Sequence, residues 1–149
     1  MRYLIILLSM LVFITGCSAE KTDTNVQEWT VSPSFEAGNI TLYGNQGRLG
    51  IIRQNGDGND LFNVGAGRLY GLYFWGNSDQ FKGKYKLVGV HKETEDNVQL
   101  YEWDIQTGQN PAEADAFSGG KFGLDKAGLW RLDVYVGDEL FDSIVVDVK

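Results

Sequence analysis

Short runs of alternating apolar and polar residues, separated by clusters of glycine, asparagine and aspartate, fill residues 29–149 of the chain. Successive side chains of a β-strand point to opposite faces, so this period of two is typical of strands with one buried face. We find no stretch of useful length with the 3.6-residue period of an amphipathic helix. The pattern predicts an all-β domain of antiparallel strands, built as a sandwich or a barrel.

Most predicted strands are rich in aliphatic, β-branched or aromatic residues. Their ranges are 39–43, 49–53, 61–64, 68–75, 83–92, 98–105, 130–136 and 144–148. In the sixth of these strands, Tyr101, Trp103 and Ile105 share one face and are expected to be buried. Glu102 and Asp104 share the other face and are expected to contact solvent.

Two connections carry further information. Gly137 and Asp138 separate the last two strands and predict a hairpin with a two-residue turn. Residues 106–123 mix small and polar residues without a sustained period, so they are expected to form a long loop with at most a short strand at 114–117. Long loops in compact domains are often functional, which makes this segment a candidate location for a site.

Composition excludes several classes of function. The formal net charge is -7, from 13 Lys+Arg against 20 Asp+Glu, and nucleic-acid binding needs a basic surface instead. A single cysteine excludes an internal disulfide and a cysteine-rich zinc site, and a single histidine excludes sites with several histidines. No cofactor is expected.

The N-terminus has the pattern of a targeting signal. A positively charged start, Met1 to Tyr3, precedes an uncharged and mostly apolar stretch at 4–14. Its length of about eleven residues suits a signal-peptide core and is well below the roughly 18 to 20 residues that span a bilayer. Residues 17–28 are polar without an apolar period and predict a flexible tether to a domain at 29–149.

Residues 14–17, Ile-Thr-Gly-Cys, resemble the lipobox of bacterial lipoproteins. The resemblance implies that residues 1–16 are a signal peptide, cut just before Cys17, and that a diacylglyceryl group is joined to the Cys17 sulfur. It further implies a lipid-anchored protein on the extracytoplasmic face of the cell membrane. An ordinary secretory signal followed by an unmodified cysteine is the alternative.

Residues 124–132, LDKAGLWRL, resemble the corner before the penultimate strand of immunoglobulin-like domains, with Trp130 where a tyrosine often stands. The resemblance implies an antiparallel immunoglobulin-like β-sandwich. The chain has no cysteine pair, so only the broad architecture is implied. Signal, tether and small sandwich together are similar to uncharacterised lipoproteins of Gram-positive bacteria, which supply no activity to transfer.

Catalytic residues are not evident in the sequence. His91 lies on a predicted strand without a nucleophile motif beside it, which favours a structural histidine. The carboxylates of Glu102 and Asp104, and those at 93–96, are expected on solvated surfaces and not in a cleft. We therefore expect no enzymatic activity. The alternative is a small envelope enzyme with a site in the 106–123 loop, formed by Asp115, Ser118 and His91.

One segment resembles a metal-binding loop in composition. Oxygen-bearing side chains alternate with glycine at Asn55, Asp57, Asn59 and Asp60, as in calcium loops. The glutamate that such a loop needs at its twelfth position is missing, and the same residues form ordinary turns. Calcium is therefore a weak hypothesis, and no other metal is expected.

Aromatic residues give the remaining candidate site. The strand at 68–75 is apolar on both faces, with Tyr70 on one face and Tyr73 and Trp75 on the other. A strand buried on one side only would not have this composition. Either these side chains complete the core or pack under the long loop, or they form an exposed surface for protein or ligand recognition.

The anchor, the missing catalytic constellation and the aromatic strand together favour a non-catalytic module that binds a protein or small ligand of the cell envelope. A structural accessory subunit of an envelope complex is a further alternative. The membrane, reached through the lipid, is the partner that the sequence specifies most directly.

Overall fold

The computed structural model describes residues 28–56 and 58–149. Cys17, the predicted signal peptide, almost all of the predicted tether and Asp57 lie outside the described residues. The described part contains ten strands and one short 3-10 helix (η1). Their bounds are β1 Ser34–Ala37, β2 Ile40–Asn45, β3 Leu49–Arg53, β4 Arg68–Phe74, η1 Ser78–Phe81, β5 Lys84–His91, β6 Asn97–Asp104, β7 Gln106–Thr107, β8 Ala116–Phe122, β9 Gly128–Val136 and β10 Glu139–Val148.

The strands form two antiparallel sheets packed face to face. One sheet has six strands in the order β1-β2-β3-β4-β8-β7, and the other has four in the order β10-β9-β5-β6. This arrangement confirms the predicted all-β antiparallel β-sandwich. Within the described ranges, no helix is long and apolar enough to cross a bilayer.

The main core fills the space between the two sheets. Alternate residues of β4 and β9 point into it, including Tyr70, Leu72 and Trp130, all about 1% exposed. Phe62 and Phe122 stack on the Tyr70 ring with centroid distances of 4.8 and 4.4 Å. Stacked aromatic rings bury large apolar areas, so this cluster is a major source of stability.

A second, smaller core covers the outer face of the six-stranded sheet. It contains Tyr73 and Leu42 of the sheet, together with Ala112 and Ala114 from the segment after β7. That segment is held down where the Asn39 N–H donates to the Pro111 carbonyl at 3.1 Å. The strand β4 is apolar on both faces because each face is buried in a different core.

The C-terminal hairpin is confirmed. Strands β9 and β10 pair from Glu139 opposite Val136 to Val148 opposite Gly128. Gly137 has a φ of +63°, the left-handed conformation that a mirror-image hairpin turn requires. A register shift between Leu140 and Asp142 adds a bulge that the sequence pattern did not indicate.

The predicted loop at 106–123 is largely wrong, because most of its second half is the strand β8. Gly119 and Gly120 give this strand little propensity of its own. The reason for one glycine is packing: a Cβ at Gly120 would lie 2.4 Å from the Tyr101 ring. Packing against Tyr101 therefore favours a glycine at position 120, and this glycine lowers the strand propensity from which β8 could have been predicted. The predicted strand at 61–64 is also wrong, since only Val64 forms an isolated bridge.

Burial of Trp103 was predicted wrongly as well. The strand β6 lies at the edge of the four-stranded sheet, and Trp103 is 53% exposed. Tyr101 and Ile105 are partly buried against the core, as their positions predicted. Leu100 is an extra residue in β6, since Tyr101 pairs with Leu87 while Gln99 pairs with Val88.

Candidate functional site

The aromatic strand does not present the binding surface that the sequence allowed. Tyr70 is 1% exposed and Tyr73 is 5% exposed, while Trp75 is half-buried with its ring edge-on to Phe35. Burial raises the pKa of Tyr70 to about 12 and also raises that of Tyr73. The exposed-patch interpretation is therefore corrected: the side chains complete the two cores.

The candidate calcium loop is already organised by protein groups. The Asn55 side-chain oxygen accepts a hydrogen bond from the Leu69 N–H at 2.7 Å. The Arg53 guanidinium donates to the carbonyl oxygens of Asp60 and Gly58, each at 2.6 Å. The Asn55 side-chain oxygen and two main-chain oxygens of this segment are thus engaged by protein donors, and the cationic Arg53 side chain beside them disfavours a bound cation.

Calcium should therefore leave the stability of the chain unchanged. We expect the same melting temperature by scanning fluorimetry with millimolar calcium and with a chelator, because the Arg53 guanidinium already bonds two carbonyl oxygens of the loop. A calcium-dependent rise in melting temperature, absent with magnesium, would restore the calcium hypothesis.

His91 has a structural environment. Its Nε2 lies 2.9 Å from the Ala127 carbonyl oxygen, which can only accept, so Nε2 carries the hydrogen. Its Nδ1 then accepts the Thr94 N–H at 3.3 Å. The ring is 3% exposed and packs on Trp130 at a centroid distance of 4.9 Å. These contacts fix the end of β5 to the corner before β9.

Asp115 and Ser118 are bonded in another part of the domain. The Asp115 carboxylate accepts the Gly76 N–H at 2.8 Å, and the Ser118 hydroxyl donates to the Asp104 carbonyl at 2.7 Å. Neither residue shares a hydrogen bond or a lined cavity with His91 in the described ranges. Among those residues, no three His, Cys, Asp or Glu side chains are grouped as a metal site.

The concave surface best suited to binding lies beside the start of β6, next to the turn before β9. We call it the corner cleft; its volume is about 500 Å³. Its lining residues come from the start of β6 and from the β8–β9 connection: Asp96, Asn97, Val98, Leu100, Gly123, Leu124, Asp125, Lys126 and Trp130.

The floor of the corner cleft is apolar and firmly held. Trp130, Leu100 and Leu124 belong to the main core or pack against it. The indole Nε1 of Trp130 donates to the Lys126 carbonyl at 2.9 Å, which closes the corner. A preformed apolar floor is the usual basis of a binding site.

The rim of the corner cleft carries charges of both signs. The Lys126 ammonium lies 2.8 Å from the Asp96 carboxylate and 3.5 Å from that of Asp125. Hydrogen bonds from Lys126 and Thr94 hold the pKa of Asp96 below its usual value. The rim can therefore both donate and accept hydrogen bonds around an apolar group.

A second cavity, of about 630 Å³, lies between Gly38 and the segment around Pro111, but its polar groups serve the fold. The Asn110 side chain bonds the Gly108 and Ala114 carbonyls and accepts the Ala114 N–H. A Cβ at Gly38 would lie 2.0 Å from the Pro111 oxygen, which shows how closely this segment is docked. The corner cleft has the apolar floor that this cavity lacks.

Residues 20–146 match the family described as a domain of unknown function, DUF4871. The chain belongs to the DUF4871 family. No curated protein matches it. A solved structure described as a "putative lipoprotein from Bacillus anthracis" is similar to the DUF4871 chain, with a TM-score of 0.58 and 17% sequence identity. The match covers 81% of this chain and 86% of the other, and it shows that the DUF4871 domain and that protein share a fold.

Proposed function

We propose that this DUF4871 protein is a lipoprotein on the extracytoplasmic face of the cell membrane of a Gram-positive host. Residues 14–17 carry the proposal, because they place a lone cysteine directly after an apolar signal-peptide core. The similarity to a Bacillus anthracis protein described as a "putative lipoprotein" supports it. Residues 1–16 would be removed, and Cys17 would carry the diacylglyceryl group, with palmitate among its acyl chains.

Two acyl chains give stable membrane attachment, whereas one chain binds only marginally. The wild-type chain should therefore stay with membranes through a high-salt wash and enter the detergent-rich phase on Triton X-114 partitioning. Recovery in the aqueous phase would show an ordinary secreted protein.

We also propose that the sandwich is of the immunoglobulin type. The strand orders of the two sheets support this assignment. The four-stranded sheet has the order β10-β9-β5-β6, and the six-stranded sheet contains the order β3-β4-β8-β7 with β1 and β2 added at one edge. The Trp130 bond to the Lys126 carbonyl supports it further, since a corner tyrosine bonds to the backbone a few residues upstream in the same way.

The role we propose for the domain is non-catalytic binding of a protein or small ligand of the envelope through the corner cleft. The observation that carries it is the combination of a fixed apolar floor and a charged rim beside the start of β6. The separate hydrogen-bond partners of His91, Asp115 and Ser118 support a role without catalysis.

Photo-crosslinking in intact cells tests this role. A photo-reactive amino acid at Val98, which lines the cleft, should give a defined crosslinked adduct. The matched control is Leu140, a similarly exposed apolar residue outside the cleft. Equal adducts at both positions, or none at Val98, would contradict a binding role for the cleft.

A further inference from the structure

The rim of the corner cleft has an excess of negative charge. Among the charged residues that line the cleft, Asp96 and Asp125 are acidic and Lys126 is basic. The hydrogen bond from Lys126 keeps the pKa of Asp96 below its usual value, so this carboxylate is ionised at neutral pH. The chain as a whole also has a formal net charge of -7. The cleft should therefore attract cationic groups and repel anionic ones.

The turn between β5 and β6 adds to this charge. Glu93 and Glu95 are exposed acidic residues that directly precede the lining residues of β6. The cation of the same turn is Lys92, and its ammonium lies 6.0 Å from the Trp29 ring. Trp29 also lies beside Arg131, whose side chain is on the face of the sheet opposite the core. Lys92 is therefore directed away from the cleft and does not neutralise its rim.

The side chain of Lys126 shows how an ammonium group is held at this rim. Its Nζ lies 2.8 Å from the Asp96 carboxylate and 3.5 Å from the Asp125 carboxylate. The backbone of the corner is fixed separately, because the Lys126 carbonyl accepts the indole N–H of Trp130 at 2.9 Å. The Lys126 side chain can consequently turn away from the two carboxylates while the corner stays closed.

The ion pairs of Lys126 are weak enough to be exchanged. The side chains are 39% exposed for Lys126, 54% for Asp96 and 75% for Asp125. Exposed ion pairs add little stability, because water solvates and screens both charges. An ammonium group from another molecule can therefore replace that of Lys126 at small cost. The exchange is favourable when the incoming molecule also covers apolar surface that Lys126 leaves open.

Such apolar surface lies next to the carboxylates. Val98 is an exposed apolar residue of the cleft, and Leu100 packs against the main core beside it. We call these two residues the apolar wall. The cleft volume of about 500 Å³ lies within the usual range of ligand sites. A molecule that joins an aliphatic group to an ammonium group can thus use the wall and the rim together.

We propose that the corner cleft binds a lysine-containing peptide segment of an envelope protein. The lysine ammonium lies between Asp96 and Asp125, and a neighbouring aliphatic side chain covers the apolar wall. This inference rests on the proposed binding role of the cleft and names the chemistry of its partner. Lys126 then acts as an intramolecular competitor, because it occupies the same carboxylates when no peptide is bound. A peptide suits the cleft better than a free polyamine, since only the peptide has a branched side chain to cover Val98.

An array of blocked pentapeptides tests the charge preference. The peptides carry a central lysine, norleucine or glutamate, with alanine, valine or leucine on either side. The full chain, purified from membranes in a non-ionic detergent, should be retained by lysine peptides and most strongly by those with valine or leucine neighbours. Norleucine and glutamate peptides should retain much less. Equal retention by all three classes, or none by the lysine class, would overturn the proposal.

Removing the competitor provides a test in which binding increases. Lys126→Met should strengthen binding of the best lysine peptide by about threefold to fivefold in calorimetric titration, because only weak ion pairs are lost. The control Lys121→Met makes the same change of charge at an exposed lysine that does not line the cleft. It should leave the affinity unchanged. Weaker binding by Lys126→Met would show that Lys126 itself holds the ligand, which would contradict its role as competitor.

A carboxylate substitution tests the rim directly. Asp125→Asn should weaken binding of the same peptide at least threefold, since one of the two carboxylates loses its charge. The control Asp79→Asn alters a carboxylate of similar exposure that is paired with Lys82 and does not line the cleft. It should bind like the wild type. Equal losses in both variants would indicate general attraction to an acidic protein and would overturn the proposed site.

Photo-crosslinking at Val98 separates this inference from the proposed role of the cleft. If Val98 gives an adduct in cells while the array shows no preference for lysine, the charge recognition is wrong and the binding role stands. If neither result is obtained, both proposals fail. Spermidine that binds the full chain as tightly as the best peptide would overturn the assignment of a peptide partner.

Discussion

Replacing Cys17 with alanine is expected to abolish incorporation of radiolabelled palmitate and to leave residues 1–16 on the chain. The thiol is the only group at this junction that can carry the lipid, since the chain has one cysteine. The resemblance to lipoproteins implies that cleavage follows lipid addition, so both events should be lost together. Labelling in growing cells and the mobility of the chain on gels provide the two readings.

The matched control for this variant is Thr24→Ala, seven residues further along the predicted tether. It keeps the thiol and should be labelled and shortened like the wild type. Continued labelling of Cys17→Ala would place the lipid elsewhere. Normal shortening of Cys17→Ala without label would indicate an ordinary secretory signal.

Replacing Trp130 with alanine should lower the free energy of unfolding by about 3–5 kcal/mol, the usual cost of truncating a large buried aromatic residue. Trp130 is 1% exposed, packs on His91, and donates its indole N–H to the Lys126 carbonyl. The substitution leaves a cavity at the junction of β9 with the corner and removes that donor. Urea denaturation followed by circular dichroism measures the loss.

Trp103→Ala serves as the comparison, because it removes the same side chain from an exposed position. Its cost should be below about 1 kcal/mol in dilute solution, as for most surface substitutions. Equal costs for the two variants would contradict the placement of Trp130 in the core and of Trp103 at the edge.

A strand of this fold can be predicted when its own residues alternate between apolar and polar side chains. The hairpin of β9 and β10 follows directly from alternating apolar residues and the glycine at position 137. The strand β8 does not, because Gly120 is selected by the Tyr101 ring that packs on it. Such a residue has meaning only after the two sheets are assembled.

The candidate site shows the same division. Trp130 stands out in the sequence as a corner residue, and the structure places it in the floor of the corner cleft. The cleft itself joins residues near 96–100 with residues near 123–130, and no local pattern connects those segments. Exposure of Trp103 was also hidden, since its alternation is that of a buried residue and only its place on an edge strand exposes it.

The sequence shows that both faces of β4 are apolar, but it does not show what covers the second face. Apolar residues on both faces of β4 required two covers, or one cover and an exposed patch. The second cover is the segment around Ala112 and Ala114, which contributes small side chains with little hydrophobic signal. Burial by such a segment is decided by backbone docking at Pro111, which a local pattern does not reveal.

Intact mass spectrometry of the mature wild-type N-terminus tests whether the protein is a lipoprotein anchored through Cys17. We expect the chain to begin at Cys17 and this residue to carry a mass increment equal to a diacylglyceryl group, with palmitate released on hydrolysis. A chain that begins elsewhere, or one that begins at an unmodified Cys17, would contradict it.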